Sequence, residues 1–382
     1  MRLLPAVAAL LLISSGVAQA TPLSVEHVLG AAEHYEVGGT TLRVYGSDGR
    51  VRVEDNRVPR SLRFGSSVSS SAFVSGASRG GSRFLFDALD LDVDNADGTR
   101  TLTLGIGPAE ATWVVPLHLT VHAGEVPVDL DPSGTEIITV ESVAGDHILR
   151  GHPAFGYGRP RVLGTYPAAL GGLGSLALQY EGALRFGVSD IYFPLAYGDD
   201  RLYSATESGT IVSAVRGGQF SPLQAPDGSI ADGLQLSSDG VALVHTFAGY
   251  WLLRRGQFTL LPDAWFAGLS SPGALSPGGR SVAFGVSAPS PGVPTQVITV
   301  DLAGGARRTY SLLDVTLPSI AGLAFSARHP GRLYLLRHSH PVSIHQPVTT
   351  QLQSLDLVSG VPTAVGSSMP EYAPRLFPAD VS

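Results

Sequence analysis

The 382-residue chain contains no cysteine. That excludes a disulfide framework, a thiolate metal site, a thiol nucleophile and a cysteine-linked lipid. It contains no lysine either, since all 25 basic residues are arginine. Schiff-base chemistry and a phosphate-loop lysine are therefore excluded. Charge is sparse, at 15% of residues, with a formal net charge of −7. There is no basic run, so nucleic acid is not an expected partner. Long apolar runs are missing too. Residues 3–13, broken only by Pro5, fall short of the ~20 residues a membrane helix needs. No stable membrane anchor is expected.

What is present begins with a short export signal. Arg2 supplies a positive start, residues 3–13 an apolar centre, and Ala18-Gln19-Ala20 a small-residue cleavage site. Residues 1–20 read as a signal peptide cleaved after Ala20, which places the product in the periplasm or outside the cell. Residues 21–382 read as one folded domain. Its 44% hydrophobic content, with 46 glycines and 27 prolines, describes a turn-rich folded chain rather than a disordered one.

Most of the pattern is β. Residues 25–35 predict one or two helical turns. After that, short strands alternate with glycine turns: 42–44 with 51–53, 71–74 with 84–86, and 89–93 with 102–106 around Asn95-Ala96-Asp97-Gly98. Residues 151–174, dense in glycine and proline, predict a long connection. From residue 230 the order is most regular, with four strands over 234–236, 241–245, 250–253 and 258–261.

One turn recurs. Leu275-Ser276-Pro277-Gly278-Gly279-Arg280-Ser281-Val282-Ala283-Phe284 is its fullest copy. Weaker copies begin at Leu130, Leu236 and Phe325, with a degenerate one at Asp199-Asp200. Leu236, Leu275 and Phe325 are 39 and 50 residues apart, the size of a four-stranded propeller blade. The pattern resembles the WD40-like repeat of TolB-type β-propellers, whose blades carry a Ser-Pro-Asp-Gly turn before a strand ending in Ala-Phe. Here Gly278 stands in place of the aspartate. The resemblance implies an all-β propeller of antiparallel four-stranded blades. At about 50 residues per blade the length suits seven, with six or eight also fitting.

The chemistry-bearing groups are few. Asp90, Asp92, Asp94 and Asp97 have the density of a calcium loop. Asn95 and Thr101 stand where such a loop needs Gly and Glu, so a solvated strand face is the better reading. His338, His340 and His345 are the densest histidines, but the ligand set is incomplete and Pro341 and Pro347 favour a loop. His118 and His122, four apart on a strand, lie about 13 Å apart, too far to share an ion. Gly76-Ala77-Ser78-Arg79-Gly80 spells a nucleophile elbow but precedes a strand instead of a helix. Tyr197, Tyr203, Tyr250, Trp251 and Trp265 suit blade packing better than a pocket. No catalytic residue, metal ligand or cofactor is assigned on these grounds. The expected function is a non-catalytic binding or protein-interaction module, for a protein or small-molecule ligand. The alternative is a propeller hydrolase or lactonase with a metal or carboxylate site at the channel mouth.

Overall fold

The computed structural model describes residues 25–30, 42–46, 51–55, 60–77, 83–108, 111–131, 133–155, 158–172, 196–198, 201–237, 240–269, 273–286, 293–313, 316–326, 329, 331–339, 349–365 and 375–378. Residues 1–20, Ser78, His340 and His345 lie outside them. Among the described residues, regular structure consists of strands and short 3-10 turns. The fold is an all-β propeller, and the strands of the described residues form seven sheets.

Four sheets follow one plan. Ala231–Leu236, Ala242–Thr246, Gly249–Arg254 and Gln257–Leu260 pair in chain order, all antiparallel. The sheets that start at Ala196, Ala274 and Ser319 repeat this meander. The leading strands pack on one another: Ala231–Leu236 touches Ala274–Leu275, which touches Ser319–Phe325, which touches Arg375–Pro378. They are the inner strands. Burial falls outward from them. Ile211–Val215 and Arg332–His338 are buried along almost their whole length, whereas Gln257–Leu260 and Arg307–Leu312 are mostly exposed. The residues follow suit. The middle strand Arg332–His338 carries Leu-Tyr-Leu-Leu, apolar on both faces, and the outer strand Arg307–Leu312 begins Arg-Arg.

The fullest copy of the recurring turn joins the inner strand Ala274–Leu275 to the second strand, Ser281–Val286, and the degenerate copy at Asp199-Asp200 lies outside the described residues. Gly278 and Gly279 have φ of 73° and 61°, conformations that only glycine adopts without strain. Ser276 Oγ accepts from the backbone N–H of Ser281 at 2.8 Å, and Ser237 Oγ from that of Val241 at 3.1 Å. Asp131 and Ser326 serve the same purpose in their turns. These side chains are buried, and each satisfies a backbone donor that the bend would otherwise orphan.

Three regions differ from expectation. Val25–Gly30 is a strand, not helical, and it pairs with Leu42–Gly46 and with Arg375–Pro378. Its second partner lies near the far end of the chain, so no local pattern could reveal it. Leu89–Leu91 is a 3-10 turn, leaving only Val93–Asp94 to pair with Thr99–Gly107. Residues 151–174 hold the end of one strand, Asp146–Pro153, and all of another, Arg161–Tyr166. Their glycines mark close packing. A Cβ on Gly151 would meet Leu163 at 3.2 Å, and one on Gly164 would meet Phe220 at 3.0 Å.

The second sheet is unusual. Arg60–Phe64, Ser67–Ala77, Phe84–Asp87, Thr99–Gly107 and Trp113–His122 pair in succession, and the last returns to run parallel with the first. It feeds directly into the third sheet, which opens with Glu125–Leu130, Glu136–Val143 and Asp146–Pro153.

Candidate functional site

The third sheet carries a polar network on one face. Glu125 begins the inner strand and stands opposite Glu141. Thr139, two residues before Glu141, shares its face. Arg150 stands opposite Thr139, and His152 opposite Ile137. The five side chains therefore meet across three strands. A short turn places His122, the end of Trp113–His122, beside them.

The contacts run from solvent inward. His122 Nδ1 lies 2.8 Å from Glu141 Oε1. Arg150 Nη1 is 2.7 Å from Glu141 Oε2 and 3.4 Å from Glu125 Oε2. Glu125 Oε1 is 2.7 Å from His152 Nε2 and accepts a short hydrogen bond from Thr139 Oγ1. The His122 side chain is 64% exposed, whereas those of Glu125 and His152 are buried. Burial pushes the Glu125 carboxyl up, but hydrogen bonds from His152 and Thr139 and the charges of His152 and Arg150 outweigh it. They hold it below the usual carboxylate range. Glu141 is likewise held low, by His122 and Arg150 against the opposing effect of burial.

Two kinds of chemistry fit this geometry. Among the described residues, His122, Glu125 and Glu141 form the only group of three metal-type ligands whose atoms all lie within 4.8 Å of one another. The donor types suit zinc-like cations. However, Arg150 already bridges the two carboxylates and occupies the electrostatic role of a cation. The arrangement fits acid–base work better. A histidine whose Nδ1–H is donated to a carboxylate keeps Nε2 as an acceptor, and here that ring reaches solvent.

A second such pair lies in the fifth sheet. Asp232 Oδ1 is 2.6 Å from His245 Nδ1. A register shift between Ala231 and Gly233 leaves Asp232 as an extra residue, which re-aims its side chain. Tyr250 stands opposite His245, with ring centroids 4.7 Å apart. Burial, helped by the Asp232 charge, pushes the Tyr250 hydroxyl up to about 12. Glu125 and Asp232 each sit at the start of the leading strand of their sheets.

The residues singled out in the sequence are mostly elsewhere. Asp90 is held by Ser69 and Ser70, Asp92 by Thr103 and Arg100, and Asp97 by Thr99. Asp94 is exposed on the strand Val93–Asp94 as expected, whereas Asp90 is exposed on a 3-10 turn and the Asp92 side chain is buried against Arg100. His338 ends a strand, half-buried. Tyr203, Tyr250 and Trp251 are buried in inter-strand core, as the packing reading holds. Glu125, Glu141, Arg150 and His152 were missed. The available signal is Thr139/Glu141 and Arg150/His152, two polar pairs at a spacing of two, the second of which runs into the stretch from residue 151 that reads as a connection.

No protein-family model and no curated protein matches the chain. Solved structures do share its architecture. One is a puromycin hydrolase, 16% identical with a TM-score of 0.45, covering 90% of this chain and 52% of its own. Another is the β-propeller domain of the Trilobed protease from Pyrococcus furiosus, 8% identical at 0.43, covering 90% and 98%. A third is the periplasmic gluconolactonase of Pseudomonas aeruginosa, 15% identical at 0.40, covering 93% and 99%. At these values the likeness carries no argument about chemistry.

Proposed function

We propose that this chain is an exported propeller hydrolase that opens a small lactone or ester, with His122 as its base. The carrying observation is the 2.8 Å contact of exposed His122 with Glu141, itself anchored by Arg150 at 2.7 Å. Histidine exchanges protons near neutral pH, and a fixed carboxylate selects its tautomer. Water beside Nε2 gives its proton to the ring as its oxygen attacks the carbonyl carbon. The tetrahedral intermediate collapses, the acyl C–O bond breaks, and the leaving alkoxide takes the proton back. A hydroxy acid results from a lactone, and no other reactant is consumed. A small lactone and an activated aryl ester are the first substrates to try, since both release acid when a base-activated water opens the acyl C–O bond. Removal of residues 1–20 would place this activity in the periplasm or outside the cell.

A non-catalytic binding module is the second reading. It is favoured by Phe247, fully exposed at a hairpin tip of the fifth sheet. Titration of acid release at constant pH separates the two. With glucono-δ-lactone and an aryl acetate, the protein should exceed the buffer rate. His122→Gln should lose about 10²-fold, and Glu141→Gln should also slow the reaction. Wild-type protein that never exceeds buffer overturns the hydrolase reading and leaves binding.

A further inference from the structure

The second sheet holds a carboxylate that the hydrolase reading does not use. Asp87 ends Phe84–Asp87, a strand buried at all four positions. Asp87 is 2% exposed, and its Oδ1 has no hydrogen-bond partner among the described residues. The charges that act on it are Asp92 and Arg100. Asp92 is itself buried, 3.1 Å from Arg100 Nη2, and Arg100 Nε lies 3.7 Å from Asp94. Of the other packed elements, Leu89–Leu91 brings Asp90, held by serines, and Ser67–Ala77 brings no charge. Glu125–Leu130 brings Glu125, paired with Arg150 and His152, and Asp129, which accepts from the Leu130 N–H. One guanidinium thus serves several carboxylates, and none of its nitrogens is hydrogen-bonded to Asp87.

We propose that Asp87 is a proton-operated latch: protonated, it locks the second sheet, and ionised, it loosens Thr99–Gly107 from Trp113–His122. An ionised carboxylate with an unpartnered oxygen in this site is costly, whereas the acid is tolerated. Burial, with the Asp92 charge adding and Arg100 and the Ala88 N–H opposing, pushes the Asp87 carboxyl up to about 7. The effect is transmitted by register. Asp87 pairs with Leu104, Leu104 with Leu117, and, at the other end of the same two strands, Thr99 with His122. The latch therefore acts on the strand that ends at the candidate base.

Amide hydrogen exchange of the intact chain tests this, corrected for intrinsic exchange. With a carboxyl near 7 in the closed sheet and an ordinary one when open, protection of residues 99–107 and 113–122 should fall about tenfold from pH 6 to pH 8. Asp87→Asn should abolish that fall while the fourth to seventh sheets exchange as before. An unchanged fall in Asp87→Asn, or none in the wild type, overturns the proposal. If Asp87→Asn does not fold, carbon-13 carboxyl NMR of the wild type decides instead. An Asp87 midpoint near 7 supports the latch, and one near the usual carboxylate range overturns it.

Discussion

Glu125 and Glu141 stand directly opposite each other on neighbouring antiparallel strands, and one guanidinium, that of Arg150, touches both. Like charges at opposed positions repel. Arg150 turns that liability into a fixed array, and the array holds His122.

Arg150→Met keeps much of the apolar stem and removes the charge. Two carboxylates then face each other with only histidines for compensation. We expect a loss of roughly 3–5 kcal/mol, the cost of breaking a buried ion pair. Urea denaturation at neutral pH measures it as a lower midpoint with an unchanged slope.

The same variant exposes the latent metal site. In the wild type, zinc or EDTA should leave the melting temperature unchanged, because Arg150 already offsets the carboxylates. In Arg150→Met, Glu125 is still held by Thr139 and His152 and Glu141 by His122, but the two carboxylates lose the cation between them. Zinc should then raise the melting temperature in a concentration-dependent way. Scanning calorimetry with and without zinc checks both.

Tyr250 is buried, and its hydroxyl has no hydrogen-bond partner among the described residues. Its ring stacks on Phe266 with centroids 4.2 Å apart. Tyr250→Phe keeps the stack and removes the orphaned hydroxyl. We expect the variant to be more stable by about 1 kcal/mol. Denaturant midpoints at one pH show the sign directly.

Stability should depend on pH from both sides. Asp87 binds its proton more tightly folded than unfolded, up to about 7 against 3.8. Its stabilising proton is therefore fully retained only at acid pH, and stability falls as pH rises from about 4 to about 7, by on the order of 4 kcal/mol. Glu125 and Glu141 are shifted the opposite way. Their contribution is present above the usual carboxylate range and is lost as pH falls through their lowered values. Denaturant midpoints from pH 3 to pH 8 should therefore pass through a maximum on the acid side of neutrality. Asp87→Asn should flatten the limb above it.

The blades were legible where the sequence repeats itself. Ser276-Pro277-Gly278-Gly279 is a local solution to a local problem, a bend whose donors must be met, so each copy shows in the residues. The closing strand Arg375–Pro378 was not legible, because its partner Val25–Gly30 lies hundreds of residues away. Gly151 and Gly164 misled for a physical reason. Glycine marks a loop when it supplies φ, and a strand when a neighbour's side chain needs the room. The site was hidden for a third reason. His152 lies 27 residues from Glu125, and Arg150 25 residues. Only sheet register brings them together, and register is not written in any one segment.

The most direct test is histidine NMR during titration with gluconate, the product of the proposed reaction. Product bound at the site should shift the His122 ring resonances saturably, leave those of His118 in place, and lose the effect in Glu141→Gln. If His122 does not respond at saturating product while the protein remains folded, the assignment of this network as the hydrolytic site is wrong.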